Sequence, residues 1–309
     1  MNRRNFIRIG ALTGVGALSP WPLQAFAKGD FIKLTILHTN DVHSRIEPFP
    51  ANDKKYPGMG GAAARAAIIK EIRAKEEHLL LLDAGDMFQG TPYFNFFGGE
   101  LEFKLMSEMG YDAATIGNHD FDAGIDGLYQ QLKNANFPLL NSNYDFTDTI
   151  MEGQTLPFKI FNKGKLKIGV LGLGVELDGL VPSKLYGNTK YLDPIKVANE
   201  TAKHLKKEMK CDYVVVLSHL GFEYSHNKVS DKVLASSSSN IDLILGGHTH
   251  TFLDEPVWEK NLEGEMVMIN QVGWAGLILG KIEIYFHKSF NKKWTYGETV
   301  IVDKKPIGI

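Results

Sequence analysis

Residues 79–92 read LLLLDAGDMFQGTP, and this stretch gives the clearest indication of the fold. Four consecutive leucines form a short apolar run, which predicts a strand that is buried on both faces. The run ends at Asp83, and Gly85 and Asp86 follow it. Open α/β sheets place their sites beyond the carboxyl ends of their strands. The stretch therefore predicts a sheet and also the edge of that sheet where a site lies.

The same construction recurs along the chain, separated by helical patterns. Further strands are predicted at residues 31–39, 113–116, 138 onward, 213–217 and 241–245. Helices are predicted at residues 60–75, 101–109, 125–132 and 193–209. Hairpins are predicted at 158–172, turning at Lys163-Gly164, and over 263–301. Strands that alternate with helices predict an α/β fold, and the hairpins predict mixed sheets. The chain contains no internal repeat or break in composition, so we expect one domain.

Five of these strand ends carry carboxylate, amide or imidazole side chains. The residues concerned are Asp41, His43, Asp86, Asn118, His119, His219, His248 and His250. Five of the ten histidines therefore lie at strand ends. The other five, which we interpret as ordinary residues without a site role, are His38, His78, His204, His226 and His287. Because alternate residues of an extended segment share a face, Asp41-x-His43 and His248-x-His250 should each present two side chains to the same side.

Neutral imidazoles with carboxylates and one carboxamide suit divalent ions such as Zn, Mn or Fe. The seven candidate ligands are Asp41, His43, Asp86, Asn118, His219, His248 and His250. Seven groups are too many for one ion, so we expect two divalent ions, with Asp86 as the carboxylate between them. The single cysteine, Cys211, excludes an internal disulfide and a thiolate cluster.

Composition and charge exclude several other classes of protein. The chain has 309 residues, of which 44% are hydrophobic and 23% charged, values that exclude disordered and collagen-like proteins. Its 34 basic and 36 acidic residues give a formal charge of -2. No overall positive field is available to bind nucleic acid.

The first 27 residues have the features of a cleaved export signal. Arg3, Arg4 and Arg8 precede an apolar run from Ile9 to Leu18, which is too short to span a bilayer. The small-residue pattern Ala25-Phe26-Ala27 then marks a cleavage site. The pair Arg3-Arg4 is similar to the twin-arginine type of signal. No cysteine follows the site to carry a lipid, so we expect a periplasmic or otherwise exported protein without a stable membrane anchor, with residues 28–309 as its mature part.

The ordered series of motifs resembles a known family of enzymes. From residue 41 to 250 the chain carries D-x-H, GD-x-x-x-G, GNH-D, SH and GGH-x-H in that order. This order is similar to that of the calcineurin-like metallophosphoesterases. The details TNDVHS, LLLLDAGDMFQGTP, GNHDFD and GGHTHTF resemble the 5′-nucleotidase branch. The resemblance implies a four-layer αββα sandwich of two mixed sheets, with a dinuclear metal site at the carboxyl ends of the strands.

The same resemblance implies a role for each candidate residue. The first metal would be held by Asp41, His43, Asp86 and His250, and the second by Asp86, Asn118, His219 and His248. The catalytic pair would be His119 and Asp122, with a cationic His119 stabilising charge on the phosphoryl or departing oxygen. Asp122 has an alternative role as the cap of the helix near Ile125. The segment Gln271-Val272-Gly273 resembles a family loop near the site, although an ordinary turn explains it equally well.

The implied activity is hydrolysis of a phosphate ester, with a nucleoside monophosphate as the first candidate. Alternatives within the class are hydrolysis of 2′,3′-cyclic nucleotides, UDP-sugars or sulfur-containing conjugates. A different alternative is a weakly active binding module or catalytic subunit. Family nucleotidases carry a C-terminal domain that holds the nucleotide, and this chain ends 59 residues after His250 without a further arginine. We therefore expect that domain to be absent here and a separate chain to be its possible source.

Overall fold

The computed structural model describes residues 31–226, 228–287 and 293–303. The expected export signal, residues 1–27, lies outside the described residues. The strands are β1 (Phe31–Thr39), β2 (Leu79–Asp83), β3 (Ala113–Ala114), β4 (Tyr144–Asp145), β5 (Phe158–Lys163), β6 (Leu166–Leu173), β7 (Lys190–Tyr191), β8 (Tyr213–Ser218), β9 (Leu243–Gly246), β10 (Val257–Lys260), β11 (Met266–Asn270), β12 (Ile278–His287) and β13 (Lys293–Ile301). The helices are α1 (Ala62–Lys75), α2 (Pro92–Phe97), α3 (Glu100–Met109), α4 (Gly124–Gln131), α5 (Ser183–Tyr186), α6 (Pro194–Lys203) and α7 (Asp231–Ser236).

Two mixed sheets form the centre of the fold. The first has the strand order β13-β12-β1-β2-β3, and the second has the order β10-β11-β9-β8-β6-β5. Within the first sheet, β1 runs parallel to β2 and antiparallel to β12. In the second sheet, β6, β8, β9 and β11 are parallel, and the edge strands β5 and β10 are antiparallel. The parallel strands therefore direct their carboxyl ends toward common edges.

The apolar runs are buried on both faces, as the leucine run predicts. Leu80 and Leu82 of β2 pack between the sheets, against β8 residues such as Val215. Leu79 and Leu81 face the opposite way, into the layer that contains α1 and α3. A third cluster joins β8 to α6 and α7 on the outer face of the second sheet. Helices thus cover both sheets, which confirms the expected four-layer αββα sandwich.

Local signals explain where the helices begin and end. Asp193 caps α6 by accepting hydrogen bonds from the amides of Ile195 and Lys196, and Pro194 occupies the first helical position. Helix α3 ends at Gly110, whose left-handed backbone conformation suits a glycine. A short π-helical segment, His204–Glu208, continues α6.

Three strand predictions differ from the structure. The predicted strand 113–116 is only Ala113–Ala114, and the one expected from Pro138 consists of two isolated bridges, Leu139 with Ala114 and Leu140 with Leu156. The C-terminal region is also more than a series of hairpins. β11 pairs antiparallel with β10 but parallel with β9, and it lies inside the second sheet, where its residues are buried in the third cluster. Periodicity alone does not specify the partner of a strand.

Among the described residues, no helix combines the length and the apolar composition that crossing a bilayer would require.

Candidate metal centre

The carboxyl ends of the strands bring the predicted residues together. Residues after β1 and β2 in one sheet meet residues after β8 and β9 in the other. Asp41 and His43 follow β1, and Asp86 follows β2. Asn118 and His119 follow β3. In the second sheet His219 follows β8, and His248 and His250 follow β9. His43 and His250 are 207 positions apart, yet their Nε2 atoms lie 2.9 Å from each other. The expected convergence of the clusters therefore occurs.

The explanation for the Asp-x-His spacing, however, is wrong. These residues are not extended, because the chain leaves the strands before it reaches them. Five candidate ligands have a positive φ: Asp41 (49°), His43 (50°), Asp86 (56°), His248 (75°) and His250 (52°). Such backbone conformations cost free energy in residues other than glycine. They are held by loop-to-loop hydrogen bonds, including Asp41 N to Gly85 O and His43 N to Asp86 O.

A first group of potential ligands consists of Asp41, His43 and His250. One ligand atom from each lies within 4.8 Å of the others. His250 Nε2 is 3.4 Å from Asp41 Oδ1. Asp41 and His43 are buried, and the His250 side chain is 40% exposed. The first group is therefore open to solvent on the His250 side.

A second group consists of Asp86, His219 and His248, again with ligand atoms within 4.8 Å of one another. His219 Nε2 is 3.1 Å from Asp86 Oδ2. The same Asp86 oxygen lies 3.8 Å from His43 Nε2 in the first group. Asp86 is thus in position to serve both groups, as a carboxylate shared by two cations must be.

Buried polar atoms without partners indicate that the residues fit metal ions. Asn118 is 6% exposed, and its Oδ1 finds no hydrogen-bond partner among the described residues. His219 Nε2 is also buried and lacks a hydrogen bond of suitable geometry within the described part of the chain. Leaving such atoms unpaired is costly unless a ligand satisfies them. The donor set of imidazole, carboxylate and carboxamide thus fits a pair of divalent cations of unspecified identity.

Hydrogen bonds orient the imidazole rings of His219 and His43 for binding a cation. His219 Nδ1 donates to Ala84 O over 2.7 Å, and His43 Nδ1 faces Phe88 O at 3.3 Å. In each ring Nε2 is left for a cation, an arrangement typical of metal-binding histidines. Burial, followed by the charge of His219, lowers the pKa of His248 to about 4 and keeps its ring neutral.

Negative charge dominates the interior of the site. Burial alone would lower the pKa of His219, but the carboxylates of Asp86 and Asp41 outweigh it and raise that pKa to about 10. Burial likewise opposes ionisation of Asp86, yet His219 and His43 lower its pKa. The site therefore strongly favours a positive charge at its centre.

His119 and Asp122 form a pair beside the two groups. His119 Nδ1 lies 2.8 Å from Asp122 Oδ2, and the His119 amide donates to Asp86 Oδ1 over 2.8 Å. The hydrogen bond that His119 Nδ1 donates to Asp122 is the main cause of a raised His119 pKa, which burial partly opposes. The alternative role of Asp122 as a helix cap is not observed, since Ala123 occupies that position of α4.

Sequence reasoning missed one buried carboxylate, that of Asp120. This side chain accepts hydrogen bonds from the amides of Asp86, Met87, Phe88 and Gly117. Burial and the nearby Asp86 raise its pKa to about 7. Its position inside the GNHD motif was the available signal, although the motif does not reveal which groups it binds.

Two glycines allow the loops to approach this closely. A Cβ at Gly117 would lie 2.2 Å from Asp86 Oδ1, and one at Gly247 would lie 2.9 Å from both Ala84 O and His219 Nδ1. Any larger residue would therefore displace the candidate ligands.

The Gln271 segment also lies beside the site. Gln271 is buried, and its side chain donates to Gly247 O over 2.6 Å and accepts from the amide of Thr251. Gly273 O accepts from Asn40 Nδ2 over 2.7 Å. The segment thus holds the loop that carries His248 and His250. Of the histidines expected to be ordinary, His38 is buried and its Nε2 accepts from Asn270 Nδ2.

Comparisons with known proteins agree with this geometry. The sequence pattern of the calcineurin-like phosphoesterase family matches residues 34–252. The snake venom 5′-nucleotidase of Gloydius brevicauda is 35% identical over 312 residues, covering 94% of this chain and 51% of that protein. The 5′-nucleotidase of Vibrio cholerae is 36% identical over 250 residues, covering 76% of this chain and 43% of that protein.

The fold is also similar to a solved structure, the 5′-nucleotidase precursor from Thermus thermophilus. The TM-score is 0.78 at 30% sequence identity, covering 88% of this chain and 55% of that chain. The chain therefore spans about half the length of the relatives it matches.

Proposed function

The chain belongs to the calcineurin-like phosphoesterase family, and from that premise we propose that it is a metal-dependent hydrolase of nucleoside 5′-monophosphates. The observation that carries this proposal is the position of Asp86 between two ligand groups, beside the His119–Asp122 pair. The choice of nucleotide rests on relatives that are 5′-nucleotidases.

The residues assigned to each cation follow the two groups. Asp41, His43, Asp86 and His250 would hold one, and Asp86, Asn118, His219 and His248 the other. Two bound divalent cations would activate a water molecule and neutralise phosphoryl oxygens. The buried Oδ1 of Asn118, which has no partner among the described residues, and the approach of His219 Nε2 to Asp86 Oδ2 support this assignment.

His119 supplies the proton chemistry of the proposed reaction. Because Asp122 engages Nδ1, only the Nε2 proton is available to a substrate. The raised pKa favours the charged ring, which can donate to a phosphoryl oxygen or to the departing oxygen. His119 is 39% exposed at its side chain, so a substrate reaches it from solvent.

A panel of substrates tests the proposal. Protein loaded with Zn, Mn or Fe should release phosphate from AMP. Preferred hydrolysis of 2′,3′-cyclic AMP or UDP-glucose would instead identify it as a cyclic-nucleotide phosphodiesterase or a UDP-sugar hydrolase. A failure to hydrolyse any phosphate ester with any of these metals would contradict it. A separate chain that adds contacts to the nucleotide would lower the KM for AMP when it is mixed with this protein.

Export is a further part of the proposal. Residues 1–27 would be a cleaved twin-arginine-type signal, with residues 28–309 as the exported catalytic domain. The Arg3-Arg4 pair, the Ala25-Phe26-Ala27 pattern and the existence of a related venom enzyme support it. Replacing both arginines by lysine should retain the full-length precursor inside the cell, and unchanged export of the variant would contradict the proposal.

A further inference from the structure

Four aromatic residues form a continuous series of ring contacts beside the first ligand group, in which Phe49 is buried and the other three are at least partly exposed. We call Phe49, Tyr56, Phe252 and Trp274 the aromatic rim. The Trp274 ring stacks on the His250 ring, with 5.7 Å between centroids and 9° between planes. Phe49 lies 6.0 Å from Trp274 and 5.3 Å from Tyr56, and Tyr56 lies 6.5 Å from Phe252 at 30° between planes. The rim therefore lies directly beside a candidate metal ligand, His250.

The rim lies on the open side of the site. The side chains of His119 and His250 are 39% and 40% exposed, whereas Asp41, Asp86 and His219 are buried. Any substrate must enter where these two histidines meet solvent. Trp274 contacts one of them directly, so the part of a substrate that projects from the site passes the rim.

Phe252 offers a fixed and exposed ring on this path. It is 39% exposed, yet a Cβ at Gly273 would lie 2.2 Å from its ring, so the ring packs closely against that glycine. A β-bridge between Phe252 and Val272 holds the backbone. A large exposed aromatic ring that is already immobilised loses little entropy when a ligand stacks on it.

The spacing suits a nucleotide. Phe252 is two residues from His250, which limits the distance between their Cα atoms to about 7 Å. If the phosphate of a nucleotide lies at the ligand groups, its sugar spans the distance from there to the rim, and its base lies at the rim. Aromatic side chains stack on nucleobases of any kind, because every base has a flat π-face. Two cations also lie on rings of the rim, Arg45 over Phe49 at 4.2 Å and Lys55 over Tyr56 at 5.1 Å from the ring centroids.

We propose that the aromatic rim binds the nucleobase of the substrate, with Phe252 and Tyr56 as the stacking surface. This inference rests on the proposed function and extends it, because it assigns recognition of the base to the same domain that holds the metals. The preference for nucleotides over other sugar phosphates would then be a property of this chain by itself.

The test compares AMP with ribose 5-phosphate, which is the same sugar phosphate without the base. In the metal-loaded protein, Phe252→Ala or Tyr56→Ala should reduce the preference for AMP over ribose 5-phosphate, measured as the ratio of kcat/KM, by about tenfold. The control is Trp258→Ala, which removes an aromatic ring 41% exposed on β10, outside the rim, and should keep the ratio. An unchanged ratio in both rim variants would overturn the inference.

A binding measurement separates this inference from the proposed function. Saturation-transfer NMR with adenosine, which has no phosphate, should show contact with the wild-type protein and reduced contact with Phe252→Ala. Adenosine binding without hydrolysis of AMP would overturn the proposed function but keep the rim. Hydrolysis of AMP together with equal adenosine signals in wild type and Phe252→Ala would overturn the rim alone.

Discussion

Single residues in this protein carry several constraints at once. Asp86 has a left-handed backbone, accepts a hydrogen bond from the His119 amide and faces imidazoles from both ligand groups. His119 is linked to Asp86 through that amide, but its ring is engaged by Asp122. Holding metal and moving a proton therefore fall to different side chains, which single substitutions can separate.

Replacing His119 by asparagine should remove turnover and leave the metals in place. The ring is paired with Asp122 and belongs to neither ligand group, so we expect kcat to fall by 10² to 10⁴, about the usual contribution of an acid or base. Steady-state kinetics and metal analysis measure the two effects. The matched control is His204→Asn, which breaks a similar pair with Glu208 (2.9 Å) on the surface. Full activity of His119→Asn would rule out the proposed role.

Asp231 should make the folded protein less stable as pH rises. Burial raises its pKa from 3.8 to about 8, and its Oδ2 has no partner among the described residues. At this group the folded state therefore binds more protons than the unfolded state between these pH values, so the contribution of Asp231 to stability is largest below about pH 4 and is lost toward pH 8. Asp231→Asn should be more stable than wild type at pH 8 by about 1 to 3 kcal/mol and equal to it at pH 4.

Urea unfolding of the metal-free protein at both pH values measures this difference. The exposed Asp178→Asn variant is the control, and we expect it to follow the wild type. A parallel pH dependence of Asp231→Asn and wild type would show that this carboxyl does not titrate as we expect.

At the level of elements, the loops after the strands are more constrained than the strands. The segments after β1 and β2 bond to each other through their backbones, and Asp120 binds four amides of the loops around Asp86 and Gly117. These contacts offset the cost of the left-handed conformations. The site is therefore built from loops that are fixed in relation to one another.

Asp120→Ala should weaken both folding and metal binding. Four buried amides would lose their acceptor, so we expect a loss of about 3 kcal/mol or more in the free energy of unfolding. The metal content should fall because the Asp86 and Gly117 loops are no longer joined. Urea unfolding and elemental analysis measure these effects, with the exposed Asp126→Ala of α4 as control. Equal behaviour of the two variants would contradict the bracing role of Asp120.

At the level of the whole molecule, the ligand groups join the two sheets. Asp41, His43 and Asp86 follow strands of the first sheet, whereas His219, His248 and His250 follow strands of the second. Between the sheets the contacts are apolar, from residues such as Leu80 and Val215. Cations bound at this edge would connect the sheets in the folded state and have no comparable site in the unfolded chain.

Removal of metal should therefore lower the melting temperature. A cation present at 100 times its Kd stabilises the fold by about 2.7 kcal/mol, which corresponds to roughly 5 to 10 °C for a protein of this size. Calorimetry before and after chelation, and again after metal is restored, measures the change. The same melting temperature in all three states, with metal content verified, would contradict a metal link between the sheets.

The sequence alone was sufficient for the positions of the main strands along the chain, the burial of the leucine run on both faces and the choice of the candidate ligands. These features are local: an apolar run forms a buried strand, and the polar residues after it lie at the sheet edge. Its failures have non-local causes. The short Ala113–Ala114 strand and the parallel partner of β11 depend on neighbours that periodicity does not specify.

Only the tertiary structure decided how the candidate residues meet. The left-handed backbone of Asp41 and His43, the bracing by Asp120 and the stack of Trp274 on His250 all require the two sheets to be packed. His43 and His250 are 207 residues apart, and no local pattern encodes their 2.9 Å approach. The physical reason is that backbone strain and long-range contacts are set by the packed fold, whereas residue chemistry and strand pattern are already present in the unfolded chain.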